Sequence, residues 1–204
     1  PLISAILNIS PDHLDRYEDM ENYIQAKLEI AKNLREPGWL IYNSGDILLS
    51  NQLHDYDRVL PFSRNYCHQA LLSLNETKVY SGDPSDKKVL FYLNEIKLPG
   101  DHNLENILAA GTIAKKYGID DDYIRDTIGS FTSLPHRMEL VTTAKGVTIY
   151  NDSKATNLSS TISAVKSFSS GLILILGGKG KGNTDFTQLL PYLENKTKYV
   201  VAYG

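Results

Sequence analysis

Polar and charged side chains that could bind a ligand cluster in the first loop of the chain. Asp12, His13, Asp15 and Arg16 follow residues 2–9, an apolar run of strand length. Parallel α/β proteins bind ligands just beyond the carboxyl ends of strands. The cluster therefore predicts either a site built from carboxylate, imidazole and guanidinium groups, or a helix-initiating loop with aspartate caps.

Lys27 lies in an amphipathic helix predicted over residues 20–34, where apolar residues recur at three- and four-residue steps. Its aliphatic stem is expected to start from the partly buried apolar stripe. Two roles fit this position. One is a surface lysine whose ammonium reaches water, and the other is a functional lysine whose pKa shifts when it is desolvated.

Two amides lie at the start of a second helix, predicted over residues 103–117 and ended by Gly118. Asn103 and Asn106 are three residues apart, which places them on one face of the first turn. They either cap the helix or offer paired donors and acceptors to the edge of a nucleobase.

Two candidate anion sites lie in the second half of the chain. Arg137, in an expected linker, is suited either to clamp a phosphate or to form a surface salt bridge. Lys179 and Lys181 alternate with glycines over residues 177–182, which predicts an anion-binding loop or a plain flexible turn. That loop does not match the G-x-x-x-x-G-K-[ST] pattern.

A further polar cluster follows the strand predicted over residues 147–150. Asp152, Lys154 and Thr156 lie within five residues, at a carboxyl strand end. A helix cap by Ser153 or Thr156 would need neither charge. The cluster therefore favours a functional role over a cap.

An α/β framework is expected to position these residues. Strand and helix patterns alternate over residues 1–133, which predicts a mostly parallel sheet. Short apolar runs at 59–62, 71–74, 89–93 and 96–98 predict a small antiparallel elaboration. After a boundary at 133/134, the pattern predicts a doubly wound, Rossmann-like domain. Its strands are expected at 139–141, 147–150, 172–176 and 199–202, and its helices at 156–168 and 186–193.

The composition limits the class of protein. The 204 residues carry 21 Lys+Arg and 24 Asp+Glu, a net charge of −3, so no electrostatic footprint for nucleic acid is present. No apolar run approaches the roughly 18 residues that cross a bilayer. One cysteine, Cys67, excludes an internal disulfide. We expect a cytoplasmic protein that binds neither nucleic acid nor membrane.

Taken together, these segments resemble the Mur ligase family over nearly the whole chain. Residues 8–17, together with Met20, Tyr23, Ala26 and Lys27, resemble its magnesium segment. Residues 100–110 resemble its His-Asn-x-x-Asn adenine segment. The most specific match is residues 151–157 with residues 135–137. This last match favours the branch of the family that joins D-glutamate to UDP-N-acetylmuramoyl-L-alanine.

The resemblance implies a role for each candidate residue. His13 would bind Mg²⁺, and Lys27 would take up carbon dioxide to become a carbamate that provides oxygen ligands for the metal. Asn103 and Asn106 would face the adenine of ATP. The ATP γ-phosphate would be reached by Arg137, and the ribose region by Asp152. The D-glutamate and phosphate environment would include Lys154, Thr156 and Lys181, with Lys154 taking part in catalysis.

The implied reaction phosphorylates the muramoyl-alanine carboxylate with ATP. The amine of D-glutamate then attacks the acyl phosphate, and the tetrahedral intermediate expels phosphate. The resemblance also implies a monomer. The residues before the lysine of the family's Gly-Gly-x-x-Lys segment are Lys179-Gly180 here, where the family often has an acidic residue.

The resemblance assigns residues 1–133 to the C-terminal part of a P-loop-type ATPase domain and residues 134–204 to the first part of a Rossmann-like C-terminal domain. We expect a piece of a longer ligase, inactive alone because the phosphate loop would lie upstream. Two alternatives stay open. One is another amide ligase of the family, such as a folylpolyglutamate synthase, and the other is a non-catalytic nucleotide-binding module.

Overall fold

A computed structural model describes residues 1–10, 17, 19–53, 56–65, 67, 69–81, 88–178 and 185–203. The chain divides into two compact units. The first comprises Pro1–Leu98 and His102–Phe131, and the second comprises Pro99–Asp101 and Thr132–Gly204. The boundary expected at 133/134 stays a prediction.

The first unit is built on a parallel sheet in the order β1-β2-β3, with β1 at Ile3–Ile6, β2 at Trp39–Asn43 and β3 at Val59–Phe62. The expectation that residues 59–62 are antiparallel was wrong, because β3 pairs parallel with β2. Parallel neighbours require a crossover connection. Helix α2, Ile47–Leu53, lies in that connection and was not predicted from the sequence.

One face of this sheet is covered by helices α1 and α2. Helix α1 spans Met20–Lys32, close to the predicted range, and begins after Asp19, whose carboxylate accepts a hydrogen bond from the Asn22 N–H. This is the expected chemistry of an N-cap. Ile24 and Leu28 of α1 pack with Leu49 of α2 in one hydrophobic cluster.

The other elements of the first unit form a second hydrophobic cluster together with residues of β2 and β3. An antiparallel sheet contains β4 (Leu72–Asn75), β5 (Lys78–Ser81) and β6 (Lys88–Tyr92). The runs at 71–74 and 89–93 predicted β4 and β6, whereas β5 was not predicted from the sequence. The run at 96–98 is not a strand, since a short 3₁₀ helix at Leu93–Glu95 ends the ladder. Helices α3 (Asp101–Lys116) and α4 (Asp121–Ser130) also contribute to this cluster. Its buried members include Ile41, Phe62, Leu72, Phe91, Leu108 and Ile124.

Three features fix the end of α3, one in the backbone and two in side chains. Gly118 has a φ of +87°, a left-handed conformation that glycine adopts without strain. Lys115 pairs with Asp121 of α4, which also accepts a hydrogen bond from the Ser81 hydroxyl of β5. Partial burial opposes ionisation, but the bonds from Lys115 and Ser81 hold the pKa of Asp121 below its ordinary value. The Lys116 ammonium lies 3.6 Å from the Trp39 ring centroid.

The second unit contains two separate two-stranded sheets. Strands β7 (Glu139–Ala144) and β8 (Val147–Asn151) form an antiparallel hairpin, so they do not belong to a doubly wound sheet as expected. Strands β9 (Leu172–Gly177) and β10 (Thr197–Tyr203) are parallel, as a Rossmann-like arrangement requires. The helices are α5 (Leu158–Lys166), a 3₁₀ helix at Phe186–Leu189 and α6 (Leu190–Leu193).

Few apolar side chains of the second unit are buried. Met138, Val165 and Leu189 are nearly inaccessible. Both sheets expose large apolar residues, including Leu140, Val147, Ile175, Tyr199 and Tyr203. The Tyr203 ring lies against Gly177 so closely that a Cβ at position 177 would overlap it.

No helix in the described part of the chain is both long enough and apolar enough to cross a membrane.

Candidate functional site

The carboxyl ends of β1 and β2 are connected by Asp46. Its Oδ2 accepts a hydrogen bond from the Ile9 N–H (2.7 Å), and its Oδ1 accepts one from the Leu49 N–H (3.2 Å). One carboxylate therefore anchors both the loop after β1 and the start of α2. Asp46 was not predicted from the sequence, although an aspartate just before a short apolar run is a typical N-cap signal.

Further hydrogen bonds fix the loop after β2 and connect it to the end of β3. The Gly45 N–H donates to Asn43 Oδ1 (2.9 Å), and the Ser44 hydroxyl donates to the Phe62 carbonyl (3.3 Å). These bonds fix the backbone where ligands of parallel α/β folds are bound. The predicted ligand cluster in the loop after β1, including His13, lies outside the described residues.

Lys27 is on the exposed side of α1, and its ammonium lies 5.2 Å from the centroid of the Tyr23 ring. That ring is buried and meets the Tyr17 ring edge-on at 5.1 Å. The contact is within the range of a cation–π interaction. As placed, Lys27 has an exposed side chain whose ammonium lies beside a buried aromatic ring, which is compatible with the surface-lysine alternative.

The described residues do not by themselves form a magnesium site. Among them, no three His, Cys, Asp or Glu side chains are grouped closely enough to hold a metal ion. Lys27 carries an ammonium, which repels a cation unless the amine is first converted to an anionic oxygen ligand.

The two candidate adenine amides differ in accessibility. Helix α3 begins at Asp101, so Asn103 lies inside its first turn and is 5% exposed. Asn106 is half-buried and is the more accessible of the two. Between them in sequence, Glu105 accepts a hydrogen bond from Arg64 Nε at 3.0 Å. This ion pair fixes the start of α3 against the end of β3, and it was not predicted.

In the second unit, two of the predicted segments come together. The Met138 N–H donates to Asp152 Oδ1 (3.0 Å), and the Lys154 N–H donates to the His136 carbonyl (3.0 Å). These two hydrogen bonds hold the segment that contains Arg137 against the turn that follows β8. Asp152 is half-buried, and this bond gives its carboxylate a structural role that the sequence did not indicate.

Hydrogen bonds made by side chains also hold this segment in place. Asn151 Nδ2 lies 2.9 Å from His136 Nδ1, and Asn151 Oδ1 accepts a hydrogen bond from the Ser153 N–H (3.1 Å). Glu139 Oε2 accepts a hydrogen bond from the His136 N–H (2.7 Å). His136 and Met138 have φ values of +65° and +46°, which non-glycine residues adopt at a cost. The hydrogen bonds hold the segment in this strained conformation.

Three predicted site residues of this unit have exposed side chains: Arg137, Lys154 and Thr156. Neither Ser153 nor Thr156 caps α5. Asn157 does so, because its Oδ1 accepts a hydrogen bond from the Ser160 N–H (2.8 Å). Thr156 therefore precedes the helix rather than starting it. Lys179 and Lys181 lie outside the described residues.

The chemistry available in each unit follows from these groups. In the first unit, a cation lies on α1 and an accessible amide lies near the start of α3. In the second, two exposed cations and a hydroxyl lie on a backbone segment fastened by Asp152 and Asn151. Cationic side chains on a loop that hydrogen bonds hold in place are suited to binding anionic groups such as phosphate or carboxylate.

Two family models match the chain. The Mur ligase middle domain matches residues 1–114, and the Mur ligase, glutamate ligase domain matches residues 136–204.

Curated relatives match over the whole chain. A UDP-N-acetylmuramoylalanine--D-glutamate ligase from Koribacter versatilis is 39% identical over 207 residues, and one from Natranaerobius thermophilus is 37% identical over 206 residues. The chain spans 45% and 44% of the length of these two proteins.

Solved structures share the fold. MurF from Acinetobacter baumannii superimposes with a TM-score of 0.81 at 18% identity, covering 100% of this chain and 47% of that one. MurF ligase from Thermotoga maritima in complex with ADP gives a TM-score of 0.71 at 18% identity, covering 100% and 53%.

Proposed function

The chain belongs to the Mur ligase family, and on that basis we propose that it takes part in the ATP-dependent joining of D-glutamate to UDP-N-acetylmuramoyl-L-alanine, a step in making the peptidoglycan precursor. The observation that carries this proposal is the identity of 35–39% along the whole chain to ligases of that name. Since the chain spans about 45% of their length, the activity is proposed for the full-length natural protein.

Nucleotide binding is proposed for residues of both units. Asn106, and Asn103 beside it, would meet the adenine, Arg137 the γ-phosphate, and Asp152 the ribose region. The accessibility of Asn106 and Arg137 supports this assignment, as does the ADP held by a structural neighbour of the same fold. Because Asn103 is buried, it would contact the adenine less than Asn106 does.

The proposed reaction needs cations around three anionic reactants. ATP phosphorylates the carboxylate of UDP-N-acetylmuramoyl-L-alanine, and the amine of D-glutamate displaces phosphate from the acyl phosphate. Arg137 and Lys154 would stabilise the charge that develops on the phosphoryl and tetrahedral oxygens. Thr156 and Lys181 would bind D-glutamate or the phosphate. The exposed side chains of Arg137, Lys154 and Thr156 are compatible with these roles.

A magnesium site is proposed at His13 and Lys27, with Lys27 as a carbamate. Bound there, Mg²⁺ would offset phosphate charge. The exposure of Lys27 supports access of carbon dioxide to its amine. Carbon-13 NMR of the full-length protein with labelled bicarbonate should show a carbamate signal that is absent in Lys27→Arg. The 204-residue chain alone should give no such signal.

The decisive test is amino-acid-dependent phosphate release by the full-length protein with ATP and UDP-N-acetylmuramoyl-L-alanine. D-glutamate should stimulate release, whereas L-alanine and diaminopimelate should not. Stimulation by another amino acid or by a folate substrate would assign the protein to a different amide ligase. Nucleotide binding without turnover would indicate a non-catalytic module.

A matched pair of variants tests the assigned cation. Lys154→Met should lower kcat about a hundredfold, because an exposed cation is removed from the proposed anion site. Lys166→Met serves as the control, since Lys166 lies over the Tyr192 ring at 4.5 Å and has no proposed role. Equal activity of the two variants would contradict the role of Lys154.

A further inference from the structure

The hydrogen bonds of Asn151 determine which nitrogen of His136 carries the proton. The Ser153 backbone N–H can only donate, so the Asn151 atom 3.1 Å from it must be the carbonyl oxygen Oδ1. The other end of the amide is therefore the NH₂ group, Nδ2. The same orientation places Nδ2 3.4 Å from Glu139 Oε2, a second acceptor.

This NH₂ group lies 2.9 Å from His136 Nδ1. An amide NH₂ has no lone pair to offer, so Nδ1 must accept the hydrogen bond and cannot carry a proton. In the neutral ring the proton is then on Nε2. The competing arrangement, a protonated Nδ1 donating to Glu139, is weaker, because Glu139 Oε2 is 4.0 Å away.

The backbone around His136 is fixed as firmly as the ring. Its N–H donates to Glu139, its carbonyl accepts from the Lys154 N–H, and its φ is +65°. The side chain is 59% exposed, and no described residue makes a hydrogen bond to Nε2. A ring held on one side by Asn151 thus presents an N–H to the solvent on the other side.

We propose that Asn151 is a positioning residue that holds His136 as the Nε2–H tautomer, so that this N–H donates a hydrogen bond to a phosphoryl oxygen bound at Arg137, the next residue in the chain. The second half of this proposal rests on the proposed ligase function. A neutral N–H adds a directed hydrogen bond to the charge of Arg137 without adding a second positive charge.

The tautomer is measured directly by long-range ¹⁵N NMR of the histidine rings of the 204-residue chain. The chain has five histidines, and His136→Gln identifies the signal of position 136. At about pH 8, where histidine is ordinarily neutral, the wild type should show Nε2–H at His136. An Nδ1–H ring at His136 in the wild type would overturn the proposal.

Two substitutions at position 151 give opposite expectations. Asn151→Asp places an acceptor against Nδ1, so the proton should move to Nδ1. Asn151→Ala removes the contact and should leave a mixture of tautomers, which keeps the test informative if the aspartate variant does not fold. Asn157→Asp is the matched control, because a carboxylate still caps α5, and it should leave His136 unchanged. An unchanged tautomer in Asn151→Asp would also overturn the proposal.

The role of the N–H is measured in the full-length protein. Asn151→Asp should raise the KM for ATP about tenfold, the loss expected for one hydrogen bond to a charged group. His136→Gln, which keeps an N–H donor, should retain more ATP affinity than His136→Ala. A changed tautomer with an unchanged KM for ATP would overturn the donor role alone. A wild type without D-glutamate-dependent phosphate release would instead contradict the proposed function and leave the tautomer result standing.

Discussion

The two units hold their candidate site residues by different means. In the first unit both faces of the parallel sheet are buried, and Leu40, Ile41, Phe62 and Leu108 are at most 1% exposed. In the second unit the strands expose much of their apolar surface, and the segment containing Arg137 is held by hydrogen bonds to Asp152, Asn151 and Glu139.

Core packing and hydrogen bonding therefore position residues in different ways in the two units. A packed core positions whole elements, so side chains such as Asn106 are placed by the packing of α3 into the core. A hydrogen-bonded segment can hold the backbone in a strained, left-handed conformation that packing alone does not specify, as at His136 and Met138. The first unit should therefore be sensitive to lost volume and the second to lost hydrogen bonds.

The largest effect is expected from lost volume in the first core. Leu108→Ala should lower the free energy of unfolding by about 3 kcal/mol, because Leu108 is fully buried and its truncation leaves a cavity. Leu190→Ala in the second unit is the matched control, and since Leu190 is 61% exposed it should cost under about 1 kcal/mol. Urea unfolding followed by circular dichroism measures both. Equal losses would break the distinction between the units.

A smaller effect is expected where the second unit loses a fastening bond. Asp152→Ala removes the acceptor of the Met138 N–H and should destabilise the second unit by about 1–2 kcal/mol. Asp152→Asn keeps an oxygen in that place and should cost less. Amide hydrogen exchange at Met138 reports the bond directly. Equal exchange in the two variants would show that the bond does not hold the segment.

The ion pair between Lys115 and Asp121 tests how much a polar contact contributes to the stability of the packed first unit. Since the pKa of Asp121 is lowered in the folded state, the pair stabilises the protein above the unfolded pKa of about 3.9, and this stabilisation is lost as the pH falls through the folded value. Asp121→Asn should cost about 1 kcal/mol at pH 7. The difference from wild type should become smaller as the pH is lowered from 7 into the acid range. A difference that does not change with pH would exclude the ionic contribution.

The smallest expected effect is at the surface of the first unit. Lys116→Met keeps most of the side-chain volume but removes the charge above Trp39, and should cost about 0.5 kcal/mol. Lys115→Met breaks the pair with Asp121 and should lower the free energy of unfolding by more than Lys116→Met does. Thermal unfolding of the two variants side by side provides the comparison.

Regular elements with a clear period were predictable from the sequence. Helix α1 follows from its apolar spacing, and β9 begins at the predicted residue 172 and ends one residue beyond the predicted range of 172–176. The direction of β3 was not predictable, because four apolar residues carry no information about the pairing partner, and the short helix α2 has too few turns for a period to emerge.

The site was predictable as a set of segments but not as a set of contacts. Residues 135–137 and 151–157 stood out by their charged types, yet the link between His136 and Asn151 spans 15 residues and depends on the hairpin between β7 and β8. Asp46 and Glu105 were missed because each acts through a hydrogen bond to a distant part of the chain. The roles predicted for the site residues, among them His13 and Lys181, stay predictions.

The stacking of Lys116 on Trp39 also has a spectroscopic consequence. Trp39 is the only tryptophan of the chain, and it lies on β2 of the first unit. Indole emission therefore reports the unfolding of the first unit alone, while tyrosines are present in both units. Because the ammonium is held 3.6 Å from the ring centroid, its departure should change the emission before the whole unit unfolds. A single intrinsic fluorophore can thus separate the two halves of this chain without any added label.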